Sequence, residues 1–275
     1  MRNEKAVKCF LDSQSAFRIP HLKLSSRVAV SKESEQPVVL VTGGAVRVGR
    51  TVVRELASLG YRVAIHANTS LDKARQLVDE LTDEGRTVAA FGAELRDEEA
   101  TRGMIDRVNR HFGRLDALIN NAAIWSPTPL ETTAADDLRR FFEVNTIGTF
   151  VCCQHAGLIM TEQERGGSIV NIGDWATHRP YKNYGAYFAS KGSIETLTRM
   201  FAVELAPQVR VNAVMPGPVL LPANLSATEK SDSIAGTLVK RAGRPENVAE
   251  AVAFLLSNDF VTGVCLPVDG GRTIA

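Results

Sequence analysis

The chain has 275 residues and a mass of 29.8 kDa, is 44% hydrophobic and 23% charged, and has a mean hydropathy of −0.05, which excludes a disordered chain, a coiled coil and a collagen-like repeat. Its 32 Lys and Arg against 31 Asp and Glu leave no global basic field to attract nucleic acid or an acidic membrane surface, so a small-molecule partner is expected. No run of about 18 apolar residues is present to span a membrane, and Cys9, Cys152, Cys153 and Cys265 show neither C-x-x-C nor zinc spacing, which fits a reducing, cytoplasmic setting without a metal.

Residues 1–36 carry more basic than acidic side chains and no periodicity; they read as a flexible N-terminal extension ahead of one domain over 37–275. Val38-Val39-Leu40-Val41 is a short β-branched run ending in Thr42-Gly43-Gly44, a buried strand entering a tight turn. Val52, Val53, Leu56 and Leu59 follow at helical spacing, and Gly60 stops that helix before the strand 62–66. The alternation continues with a helix over about 71–81, a strand 87–91, and a helix carrying Ala100, Ile105, Val108 and Phe112. A strand 117–120, a long helix over about 138–160, a strand 168–172, a helix 187–205 and a strand 210–214 come next. The variable stretch 219–240 is expected to form a substrate lid, with Leu220, Leu221 and Leu225 as an apolar wall of the pocket; a helix 246–256 and a strand 264–268 close the chain. Strands alternating with helices throughout predict an α/β fold: a doubly wound, seven-stranded parallel sheet of Rossmann type with helices on both faces and ligands at the strands' carboxyl ends.

The first strand-to-helix turn, Thr42-Gly43-Gly44-Ala45-Val46-Arg47-Val48-Gly49, lets backbone N–H groups and a helix N-terminus approach a pyrophosphate. An ATP phosphate loop is the rival reading of Gly44-x-x-x-x-Gly49-Arg50-Thr51, but the Lys is missing and the next strand ends in His66. An acid at that strand end would bind a ribose 2′-hydroxyl and repel a 2′-phosphate. His66, Asn68, Thr69 and Ser70 stand there instead, with Arg47 nearby, so NADPH is expected over NADH. Ser70 is also placed to cap the following helix. Tyr187 and Lys191 put a phenol and an ammonium at i and i+4 on one helix face, a spacing suited to proton transfer once the phenol's pKa is brought down by two or three units toward 7.

The turn 42–49, Asn120-Asn121-Ala122-Ala123, Asn145 in Glu143-Val144-Asn145-Thr146, Tyr187 with Lys191, and Pro216-Gly217 occur in the order and spacing of the short-chain dehydrogenase/reductase family, which 37–275 resembles. The resemblance implies that Tyr187 is the proton donor and that Lys191 binds the nicotinamide ribose and lowers the tyrosine pKa. It implies that Asn145 holds a water linking Lys191 to bulk, and that Asn121, Ala122 and Ala123 line the adenosine side. It places Gly43, Val48, Gly49, Leu95, Pro216 and Gly217 on the cofactor, along with Glu94 where relatives carry an Asp. Finally, it implies a dimer or tetramer built on the helices 138–160 and 187–205.

Two departures point further. Arg47 stands in the glycine turn, and Asp174 stands thirteen residues before Tyr187 where a serine is usual. A serine donates to a substrate carbonyl; an ionised Asp only accepts, and suits a ring presenting N–H groups. These departures resemble the pteridine reductase branch, in which an aromatic residue at the position of Trp125 stacks on a flat pterin. The expected function is therefore NADPH-dependent hydride transfer to a C=N bond of a pterin-like ring, a planar heterocycle held by Arg47, Trp125, Asp174 and Tyr187. The alternatives are reduction of a carbonyl, such as a 3-oxoacyl thioester or ketone, which a protonated Asp174 would permit, and a non-catalytic NADPH sensor. His21, His111, His155 and His178 form no metal-binding spacing.

Overall fold

The computed structural model describes residues 36–221 and 226–275, so the expected extension, apart from Gln36, lies outside the described residues, as do Cys9 and Leu225. In chain order the strands are β1 (Val38–Val41), β2 (Arg62–Ala67), β3 (Val88–Gly92), β4 (Ala117–Asn120), β5 (Gly167–Ile172), β6 (Val209–Pro216) and β7 (Cys265–Val268). The helices are α1 (Arg47–Ser58), α2 (Leu71–Asp83), α3 (Glu98–Phe112), α4 (Ala135–Phe142), α5 (Gly148–Thr161), α6 (Gly185–Glu204), α7 (Ala227–Ala235) and α8 (Pro245–Ser257).

All four side chains of β1 are buried because helices cover both sheet faces. Val39 and Val41 point to one face, against Val52 and Leu56 of α1, Leu77 of α2 and Val252 of α8. Val38 and Leu40 point to the other, against Ile105 of α3, Cys152 and Met160 of α5, and Phe201 of α6. Every pairing is parallel, as the sequence predicts, and the strand order is β3-β2-β1-β4-β5-β6-β7. The chain leaves β1 in one direction to β2 and β3 and returns to β4 on the other side, so a crevice opens at the carboxyl ends of β1 and β4.

Two elements differ from the sequence reading. The single helix expected over 138–160 is α4 and α5 joined by a π-helical turn, Glu143–Ile147, which contains Asn145. In the variable stretch 219–240, to which the sequence reading assigns no element, α7 forms. Helix α3 is capped at both ends: the Asp97 carboxylate accepts from the Ala100 N–H, and Gly113 takes the left-handed conformation that ends the helix (φ 78°). No described helix is long and apolar enough to cross a membrane.

Candidate active site

The crevice is a cavity of about 620 Å³ running from Thr69 and Ser70 at one end to Lys191 and Pro216 at the other. Its floor is the glycine turn, and that floor is tight. A Cβ on Gly49 would lie 2.2 Å from the Gly43 carbonyl oxygen and 2.5 Å from Asn121 Nδ2; one on Gly43, whose φ is +62°, would lie 2.9 Å from Ala122 Cα. Asn121 ties β4 to this turn, its Nδ2 donating to the carbonyls of Thr42 and Gly43 at 2.9 and 3.0 Å. The Thr42 hydroxyl accepts from the N–H groups of Asn121 and Ala122. The bare backbone at the start of α1 thus faces a cavity long enough for a dinucleotide, and the residues present fit such a group.

Gly43, Arg47, Val48, Gly49, Asn68, Thr69, Ser70, Glu94, Leu95, Asn121, Ala122, Ala123, Lys191 and Pro216 all line the cavity, as expected. His66 lines it too, but its polar groups are already spent: Nδ1 accepts from the Gly43 N–H at 3.2 Å and Nε2 donates to the Ala93 carbonyl at 3.1 Å. Burial depresses its pKa, consistent with this neutral tautomer. It is therefore a support for the turn and not a free cofactor ligand. Gly217 is not in the lining; a Cβ there would meet Asp269 Cα at 2.5 Å, so close packing accounts for the glycine. Ser70 occupies the N-cap position of α2 without a side-chain capping bond.

Glu94 Oε2 accepts from Asn68 Nδ2 at 2.8 Å and pairs with Arg96 at 3.2 Å, and these bonds hold its carboxyl below the usual range despite desolvation. Arg96, Arg140, Ile124, Val144 and Ile172 line the cavity without having been predicted. Arg96 had one available signal, its place just past the β3 end. Arg140, amid the charges of α4, had none. Arg47 holds the left-handed region (φ 52°), and its guanidinium donates to the Leu220 carbonyl at 3.3 Å, linking the turn to the segment before α7.

Beside the cavity, the Tyr187 hydroxyl donates to Asp174 Oδ2 at 2.7 Å, and Oδ1 accepts from the Ala176 N–H at 2.8 Å. Asp174 thereby caps a short 3-10 turn, Trp175–Thr177, which turns its carboxylate back toward α6. Tyr187 is buried in a cluster with Phe141, Ala176 and Phe188, and Asp174 is partly buried beside it. Burial pushes Asp174 up, opposed by its hydrogen bonds and by the Lys191 charge. Burial, then the Asp174 charge, raise Tyr187 well above the usual phenol value. The expected lowering of the tyrosine pKa by Lys191 is thus not what this geometry gives, since Lys191 acts on Asp174. Lys191 itself donates to the Ile172 carbonyl at 2.7 Å, and burial brings it down to about 8.

Asn145 does not present a free amide for a water. Its Oδ1 accepts from the Ile124 N–H at 2.8 Å, and Nδ2 donates to the Ile124 carbonyl and to Ser190 Oγ. Trp125 lines the cavity as expected, but one face of its ring is stacked on Tyr184 at 4.8 Å. Among the described residues, no group of three or more His, Cys, Asp or Glu side chains converges on a metal-sized site.

A family model described as enoyl-(acyl carrier protein) reductase matches residues 44–273. The chain is 36% identical to cis-4-hydroxycyclohexanecarboxylate dehydrogenase of Sinomonas cyclohexanicum, over 86% of this chain and 96% of the relative. It is 35% identical to cyclopentanol dehydrogenase of Comamonas testosteroni, with the same shares covered. Identity to 3beta-hydroxysteroid dehydrogenase 1 of Eggerthella lenta is 30%, over 86% and 93% of the two chains. With this agreement across nearly the whole described chain, and with Tyr187 bonded to Asp174 and Lys191 lining the cavity over the glycine cradle, the protein belongs to the short-chain dehydrogenase/reductase family of oxidoreductases.

Proposed function

We propose that the chain interconverts a carbonyl and a secondary alcohol using NADP(H), with a ring ketone or a 3-oxoacyl thioester as substrate. The observation that carries this reading is the 2.7 Å bond between the buried Tyr187 and Asp174. A nicotinamide cofactor supplies or accepts the hydride at carbon. Tyr187, kept protonated by its surroundings, gives a proton to the carbonyl oxygen. Asp174, the feature that argued against a ketone, is pushed toward its neutral form, in which Oδ2–H donates to that oxygen as a serine hydroxyl would. Lys191, a buried cation anchored on β5, favours negative charge developing near the pair. The named relatives act on cyclohexane, cyclopentane and steroid alcohols, which supports a carbonyl substrate over the pterin expected from Arg47, Asp174 and Trp125.

NADP(H) preference rests on the absence of an acid at the end of β2 and on Arg47, Asn68, Thr69 and Ser70 around that end of the cavity. The exposed Ile147, Leu158 and Val203 on the outer faces of the π-helical turn, α5 and α6 support the expected homo-oligomer. A second reading, a pterin-like ring, is favoured by the exposed Trp125 indole at the cavity. Oxidation of NADPH and NADH against cyclic ketones, acetoacetyl thioester, dihydropterin and dihydrofolate tests both. Turnover of ketones or thioester is expected; turnover confined to the pterins refutes the carbonyl reading, and equal use of NADH refutes the cofactor preference.

A further inference from the structure

A second cavity, of about 600 Å³, opens beside the turn that carries Asp174. Its walls include Trp175, Arg179, Tyr181, Lys240, Arg272 and Ala275. Three of these are cations, and among the described residues none of the three pairs with an Asp or Glu side chain. Main-chain oxygens hold them in place. Arg179 Nη1 donates to the carbonyl of Arg272 at 3.2 Å and to Ala275 O, Arg272 Nη1 to the carbonyls of Asp232 and Ser233, and Lys240 Nζ to the Ala235 carbonyl at 2.8 Å. The Arg272 guanidinium also lies over the Trp175 ring, 4.6 Å from its centroid. Asp269, three residues before Arg272, spends its carboxylate on the Gly271 N–H and on the N–H and hydroxyl of Thr273. Three cationic side chains therefore share one concavity with the Ala275 carboxyl, which pairs with Arg179, and only their Nη1 and Nζ atoms are engaged, leaving the rest of each guanidinium fork available.

The position matters as much as the charge. Trp175 follows Asp174 directly, and Tyr181 packs edge-on against Tyr184 and Phe188, which flank Tyr187. Trp175 and Tyr181 thus line the side of the cavity toward the reacting pair. We infer that this cavity binds an oxyanion carried by the substrate, a carboxylate or a phosphate, and so holds a carbonyl on the same molecule at Tyr187. The inference rests on the carbonyl reading for its second half only.

Calorimetry on the cofactor-loaded enzyme, with cyclohexanecarboxylate in one arm and inorganic phosphate in the other, tests the site without turnover. At least one anion should bind, the tighter one identifying the source. Arg179→Gln with Lys240→Gln should weaken it on the order of tenfold per cation removed, whereas Arg179→Lys with Lys240→Arg should retain it. In kinetics the same pair of Gln substitutions should raise KM for 4-oxocyclohexanecarboxylate and leave cyclohexanone unchanged. Failure of both anions to bind, or binding that the Gln variant leaves untouched, overturns the site. Loss of all ketone turnover with the binding effect intact overturns the carbonyl reading instead.

Discussion

Replacing His66 with Ala tests whether the glycine turn is held from behind by a neutral imidazole. The ring is almost fully buried and makes two bonds, to the Gly43 N–H and the Ala93 carbonyl. Each is worth about 1 kcal/mol net, and the vacated ring volume adds a cavity cost, giving roughly 2–4 kcal/mol of lost stability. Gly43 carries the positive φ of the turn, so NADPH affinity should fall with stability. The pH dependence has a definite sign. Burial depresses the folded-state pKa below the ordinary value of about 6.5, so the contribution is complete above that pH and is lost as pH falls through the folded pKa. Urea unfolding and NADPH titration between about pH 5 and 8 should show wild type weakening below about 6.5 and His66→Ala lacking that component. A variant within 0.5 kcal/mol of wild type, or one with the same acid limb, would refute the role (about 0.5 kcal/mol being the scatter of neutral surface changes).

Gly49→Ala should cost on the order of a hundredfold in cofactor affinity, because the new methyl meets the Gly43 carbonyl and the Asn121 amide; fluorescence titration with NADPH reads this directly. Tyr187→Phe should lower kcat by roughly 10²–10⁴ while leaving cofactor affinity unchanged in the same titration. Asp174→Asn should be more stable than wild type at neutral pH. Burial raises the Asp174 pKa, so its contribution is complete below about pH 4 and is lost as pH rises through the folded value; the advantage of Asn should vanish at acid pH in urea melts.

The scaffold was legible because both sheet faces are covered, so each strand is a short apolar run that punctuating glycines and caps separate from its neighbours. The cofactor end was legible from residue type at strand ends, where position alone decides what faces the crevice. What escaped the sequence was commitment. Nothing in the letters shows that the imidazole of His66 is bonded on both sides, that the amide of Asn145 is used up by Ile124 and Ser190, or that the Lys191 charge falls on Asp174. These depend on distances between segments far apart in the chain. Helix α7 escaped for another reason: Thr228, Lys230, Ser231, Asp232 and Ser233 give it no apolar stripe to read.

The π-helical turn between α4 and α5 acts as a phase shifter. A wider turn accommodates one more residue than an α-helical one, so everything after Ile147 is rotated relative to the stretch before it. Forcing 143–147 into a regular α-helix without removing a residue would swing the following segment by about 100°. The wide turn is accordingly what keeps Cys152, Cys153 and Met160 against the sheet.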